Sequence, residues 1–216
     1  MPVTTKLDLI RRRYSRLAAI YPVFNLIFAL SSRMRASAVD RLALKTGATV
    51  LEVGCGTGSN FGLLEKAVGP AGEVLAVDFS DAMIARARAR CRKHGWNNIT
   101  LLAQDAAEMV LPSQVDAALF SVSYSVMPDP QKALRQAWKY LRNGGSLVIL
   151  DARLGDGMMA RLARPLVKAL SDATVLGDLD RRPWDDLKLF TSRVEVEQLK
   201  FGYYICRGVK LVADSV

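Results

Sequence analysis

The chain reads as an α/β protein: a doubly wound, mostly parallel seven-stranded sheet with an antiparallel C-terminal hairpin and an N-terminal helical cap. Three observations predict this. Apolar runs rich in valine, leucine and isoleucine alternate with stretches of helical periodicity. The first run breaks into alternating glycines at Gly54, Gly56 and Gly58. Two segments near the C-terminus alternate apolar and polar residues around Gly202. Strands alternating with helices through right-handed crossovers build a parallel sheet covered on both faces, and a terminal hairpin adds antiparallel strands.

Each element follows from its residues. Thr4 or Thr5 can cap a first helix in which Leu9, Ile10, Tyr14, Leu17 and Ala18 share a face and arginines cover the other. Pro22 ends or kinks it. A second helix runs from about Val23 into the Arg41–Lys45 region. Residues 1–46 thus form an amphipathic cap and 47–216 the main domain. Val50–Val53 is the first strand, Phe61–Val68 a crossover helix, and Gly69-Pro70-Ala71-Gly72 its exit turn. Val74–Asp78 is the second strand, followed by a helix over Asp81–Lys93 that Gly95 stops. Ile99–Ala103 and Val115–Phe120 are the third and fourth strands. A helix over Lys132–Leu141 ends at the turn Asn143-Gly144-Gly145, and Leu147–Asp151 is the fifth strand. Residues 156–183 read as a helical insert. Val194–Leu199 and Tyr203–Arg207 form the closing hairpin.

At 216 residues, half of them apolar, the chain has enough for one domain with a core, with or without a small cap. Cys55, Cys91 and Cys206 are odd in number, scattered and without a CxxC, which points away from disulfides and zinc and toward a reducing, cytoplasmic setting. The net charge is +9, and residues 1–45 hold nine Lys and Arg against two Asp, so +7 of it lies there. Such asymmetry suits an anionic membrane surface or a nucleic acid. The apolar stretch Leu17–Leu30 is interrupted by Pro22 and Asn25 and is shorter than the ~20 residues of a membrane span. Basic residues before a short apolar run also mimic a secretory leader. The amphipathic cap is the preferred reading.

The glycine turn carries the chemistry. Glycines allow positive φ and let a ligand touch backbone. Asp78 closes the second strand about twenty residues later, the spacing at which a carboxylate reaches a ribose diol. Position 59 is Ser, so the pattern is Gly-x-Gly-x-Gly and lacks the third glycine of a dinucleotide site.

Glu52-x-Gly54-x-Gly56-x-Gly58 resembles motif I of the class I S-adenosylmethionine (SAM)-dependent methyltransferases, whose fold is a Rossmann-like sheet. Phe79-Ser80-Asp81-Ala82-Met83, Gln104-Asp105-Ala106, Val115-Asp116-Ala117-Ala118 and Leu141–Leu147 are similar to further segments of that superfamily, so the likeness spans roughly residues 48–151. Tyr14–Tyr21 and Leu199–Tyr204 resemble segments of the ubiquinone/menaquinone methyltransferases and of bacterial phosphatidylethanolamine N-methyltransferases. Pro22 departs from that group, which has Asp there. The resemblance implies SAM as cofactor and no metal. It also implies residue roles: Gly54, Gly56 and Gly58 against the methionine end, Glu52 orienting its amino group, and Asp78 on the ribose. Phe79 and Met83 would flank the adenine, Asp105 and the Ala106 N–H would meet its edge, and the Ser121 carbonyl would face the ammonium. Tyr14 and Tyr21 would close over the sulfonium.

Plainer readings stand beside these. Asp105, Asp129 and Asp151 can be caps, Tyr14 and Tyr21 core residues, Cys55 a small turn residue. His94 can be a solvated cation at a helix end, and Arg86, Arg88, Arg90 and Arg92 a wetted helix face. Methyl transfer from a sulfonium needs alignment more than a nucleophile, and Tyr21, Ser123, Tyr124 or Asp151 could assist proton removal. A basic amphipathic N-terminus, echoed by Met158, Leu162, Leu166, Arg161 and Arg164 in the insert, suits a peripheral membrane binder acting on a lipid or other amphiphile. With the resemblance, phosphatidylethanolamine N-methylation ranks first and C-methylation of a polyprenyl quinone precursor second. RNA methylation ranks behind both, for want of a target-base motif. A non-catalytic SAM-binding subunit ranks last.

Overall fold

The computed structural model describes residues 31–154, 157–158, 164–165 and 180–212. Tyr14, Tyr21 and most of the expected cap and insert lie outside them. The expected start of the second cap helix, over 23–30, lies outside them as well; within the described residues α1 (Ser32–Asp40) follows Ser31, which is in extended backbone and accepts the Met34 N–H on its hydroxyl. Arg41 caps its end, at the start of the expected Arg41–Lys45 region.

β1 (Thr49–Val53), α2 (Phe61–Val68), β2 (Glu73–Asp78), α3 (Asp81–His94) and β3 (Ile99–Ala103) follow in alternation. Gly69 and Gly95 end the two helices with φ of 68° and 70°, backbone that glycine adopts without a Cβ clash. β4 (Val115–Ser121) leads to α4 (Pro130–Tyr140), which starts before the expected Lys132 because Asp129 accepts the Lys132 N–H and a proline fills the first turn.

The expected turn at Asn143-Gly144-Gly145 lies instead within β5 (Leu141–Ala152). Gly144 N–H donates to the Lys210 carbonyl, and Lys210 N–H donates back to Gly145. The two glycines are thus tied to the chain beyond the last strand, and the register against β4 shifts between Val115 and Ala117. A short helix, α5 (Pro183–Leu187), follows the insert region. β6 (Val194–Gln198), a 3₁₀ turn at Lys200–Gly202 and β7 (Tyr203–Val209) form the hairpin.

The sheet order is β3-β2-β1-β4-β5-β7-β6. The β1–β2, β1–β4, β2–β3 and β4–β5 pairs are parallel, and β7 runs antiparallel to both β5 and β6. Central strands are buried on both faces, which is why they are continuously apolar in sequence. One face packs Leu51, Val77, Phe120 and Ile149 under Leu134 and Trp138 of α4 and Trp184 of α5. The other packs Val50, Val74, Leu119 and Val148 under Ala38 and Val39 of α1 and Leu64 of α2. Burying each such aliphatic side chain contributes about 1.5–3 kcal/mol. Among the described residues no helix is long and apolar enough to cross a membrane.

Candidate functional site

β1 pairs with β2 on one side and β4 on the other, so the sheet order reverses at β1 and opens a crevice at the carboxyl ends of these strands. The glycine turn lies there. Gly54, Gly56 and Gly58 have φ of 72°, 55° and 76°. A Cβ on Gly54 would sit 2.6 Å from Ser123 Cβ, and one on Gly58 2.4 Å from the Phe61 ring, so both positions exclude a side chain. The N–H groups of Gly54 and Cys55 donate to the Val77 carbonyl at 2.8 and 3.0 Å, tying the turn to β2.

Two buried carboxylates flank this turn. Asp78 accepts the Gly56 N–H on Oδ2 and the Ser80 N–H on Oδ1, each at 2.9 Å. Burial pushes its carboxyl upward against those two amides. Glu52 lies on the sheet face covered by α1 and α2 and is 1 % exposed. Burial raises its pKa from 4.5 to about 7, opposed by the Asn60 hydrogen bond and the Arg35 charge. Its Oε1 accepts Asn60 Nδ2 at 2.6 Å, whereas its buried Oε2 has no partner among the described residues. An unpaired buried carboxylate oxygen is costly unless a ligand or a water supplies a donor.

Other expected residues surround the crevice to different degrees. Ser121 ends β4, and its hydroxyl lies 3.5 Å from Arg35 Nη1. Val122, next in the chain, has φ of 53°, an outlier for a β-branched residue; its N–H donates to the Leu150 carbonyl. Phe79 is half-buried after β2, and Met83 is buried on α3. Asp105 Oδ1 accepts the Ala107 N–H, a turn cap, and Ala106 is half-buried beside it. The Ser123 hydroxyl donates to the Val53 carbonyl at 2.7 Å. Tyr124 is fully buried, donates to Asp186 and packs edge-on to Phe120; burial raises its phenol further, so it stays protonated. Asp151 is buried with its oxygens on Ser125 and the Ala152 N–H.

The structure therefore brings Glu52, the three glycines, Asp78, Ser121 and Ser123 to one crevice, while Tyr124 is committed to the core. Sequence reasoning passed over Arg35, Asn60 and Arg181. Arg35 Nη1 donates to Asn60 Oδ1 at 3.0 Å, and Arg181 Nη1 donates to the carbonyls of Tyr124 and Met127 at 3.0 Å each. Asn60 directly follows the glycine turn and was visible in that place; the arginines carry no sequence signal. A separate cleft of about 420 Å3, lined by Arg88, Cys91, Arg92 and Trp96, lies at the amino end of β3, away from the crevice. Among the described residues no group of three His, Cys, Asp or Glu can hold a metal ion. A glycine cradle between two buried carboxylates, one with a spare oxygen, fits a nucleoside that carries a free amino group.

The family model of the methyltransferase domain matches residues 44–184. The chain is 25% identical over 150 residues to demethylmenaquinone methyltransferase of Listeria welshimeri, covering 68% of this chain and 64% of that protein. It is 26% identical over 155 residues to ubiquinone/menaquinone biosynthesis C-methyltransferase of Hahella chejuensis, covering 70% of this chain and 62% of that protein. In both cases the match spans less than two thirds of the relative. Its fold is similar to a SAM-dependent methyltransferase from Aquifex aeolicus, with a TM-score of 0.60, 23% identity, and 80% and 87% of the two chains covered.

Proposed function

This chain belongs to the methyltransferase-domain family of class I SAM-dependent methyltransferases, and on that premise we propose that it methylates a ring carbon of a polyprenyl quinone precursor, or a similar small amphiphile, with SAM as donor. The observation that carries the cofactor assignment is the glycine turn between Glu52 and Asp78 at the sheet's switch point. What supports the acceptor is the pair of curated relatives named for menaquinone and ubiquinone methylation. Phosphatidylethanolamine N-methylation rests on the basic amphipathic N-terminal sequence, and that sequence serves a quinone in the same bilayer equally well.

SAM, when bound, supplies a methyl group already activated on sulfur. The chain's own residues then have three tasks. Gly54, Gly56 and Gly58 bring backbone against the methionine end, Glu52 accepts its ammonium directly or through a water, and the Ser121 carbonyl accepts from the same group. Asp78 holds the ribose, Phe79 and Met83 flank the adenine, and Asp105 with the Ala106 N–H meets its edge. The resemblance assigns Tyr14 and Tyr21, which lie outside the described residues, to the methionine end. Alignment of this kind lowers a barrier by about 7–11 kcal/mol. The Ser123 and Tyr124 hydroxyls donate to Val53 and Asp186, so what the described residues supply to the rate is positioning.

The test offers methyl-labelled SAM with three acceptors: a demethylated polyprenyl quinol, phosphatidylethanolamine vesicles and total RNA. Label in the quinol, held through acid hydrolysis as a carbon-bound methyl, supports the proposal. Label confined to phosphatidylethanolamine replaces it with N-methylation, and label in RNA alone overturns the amphiphile reading.

A further inference from the structure

Asn60 occupies the N-cap position of α2, yet its side chain makes no capping hydrogen bond. An asparagine there ordinarily satisfies an orphan helix amide, worth about 0.5–2 kcal/mol. Instead, the carboxamide is spent in two other directions. Its Nδ2 donates to Glu52 Oε1 at 2.6 Å, and its Oδ1 accepts Arg35 Nη1 at 3.0 Å. A guanidinium has only donors and an ionised carboxylate only acceptors, so this amide orientation alone serves both. The three links come from α1, the start of α2 and β1, and they end at the buried Glu52 Oε2, which has no partner among the described residues.

We propose that Arg35 is a positioning residue of the cofactor site, acting through the Asn60 carboxamide to hold the Glu52 side chain and its negative charge ready for the amino group of the cofactor. This rests on the cofactor reading above. Arg35 itself touches no reacting atom. It supplies, at one carboxamide's remove, a positive charge that keeps a buried carboxylate ionised where its surroundings disfavour ionisation. Among the described residues, the charged and titratable groups around Glu52 are Arg35 from α1, Asp78 from β2 and the buried Cys55 thiol in the turn. Asp78 opposes ionisation of Glu52, the neutral thiol adds no charge, and Arg35 is the cation that favours it.

Binding of SAM should then lose strength on the acid side as Glu52 takes up a proton. It should also lose strength on the alkaline side as the ligand's own amino group deprotonates near pH 8. Titration calorimetry of the full chain with SAM across pH 5.5–9 reads both limbs. In Arg35→Gln the acid limb moves up by about one pH unit, which weakens affinity about fivefold at pH 7, while the alkaline limb stays in place. Arg35→Lys keeps the limb near its original position. Asn60→Ser, which retains a good capping residue but cuts the bridge, shifts the limb as Arg35→Gln does, and the double variant adds nothing further. 5′-Methylthioadenosine, which lacks the α-amino group of the methionine part, shows no acid limb with any of these proteins. A purely structural Arg35 would change affinity equally at every pH and equally for both ligands, and that result overturns the inference. A wild-type affinity for SAM that is flat across the acid range also overturns it while leaving the cofactor reading intact. No SAM uptake by the wild type at any pH overturns both.

Discussion

Asp78 and Glu52 sit a few residues apart in space and answer to the same physics in different ways. Both are buried and both are pushed toward the neutral form, but Asp78 has backbone amides on both oxygens and Glu52 has one oxygen without a partner among the described residues. Replacing Asp78 with alanine removes the proposed ribose acceptor and the anchor of Gly56 together. SAM affinity should fall at least about tenfold by calorimetry, as expected for hydrogen bonds to a charged group. For Glu52 the linkage to stability has a definite sign. Its folded value of about 7 lies above the ordinary 4.5, so the folded chain retains a proton that the unfolded chain releases. Stability from this site is greatest below pH 4.5 and falls as pH rises to 7, by about 3 kcal/mol in all. Glu52→Gln, which keeps the acceptor for Asn60, should therefore melt higher than wild type at pH 8. The gap should close toward pH 5, as followed by thermal denaturation without ligand.

The strands and helices were largely readable because each obeys a local rule. The parallel strands are continuous apolar runs, Gly69 and Gly95 stop α2 and α3 with positive φ, and Asp129 and a proline open α4. Asp129→Ala should destabilise the protein by about 1 kcal/mol in urea unfolding with an unchanged m-value, since it removes one cap and exposes no new surface. Two elements were misjudged for non-local reasons. Gly144 and Gly145 look like a turn, yet Lys210, more than sixty residues later, pairs with both and draws them into β5. α5 is too short to show a period, and it exists because Trp184 and Leu187 fill the core layer beside Tyr204.

At the level of the whole molecule, seven strands and their covering helices leave one place where crossovers diverge, and the glycine turn is there. The charge is distributed just as unevenly, with +7 of +9 in the first 45 residues. If that segment binds an anionic bilayer, replacing Arg11, Arg12 and Arg13 with glutamate should sharply reduce co-sedimentation with phosphatidylglycerol vesicles. Added salt should reduce wild-type recovery in the same way. Equal recovery of wild type and variant would detach the substrate proposal from a membrane surface.

The primary structure alone determined the alternation of strand and helix, the glycine turn and the carboxylate beyond it, because these depend on neighbours within about twenty residues. Only the folded chain decided which side chains share the crevice. Arg35 reaches Asn60 from 25 positions away and Ser121 from 86, and Tyr124 was withdrawn into the core by Asp186, 62 positions on. Contacts at such separations follow from how layers stack on the sheet, and no periodicity in the sequence records them.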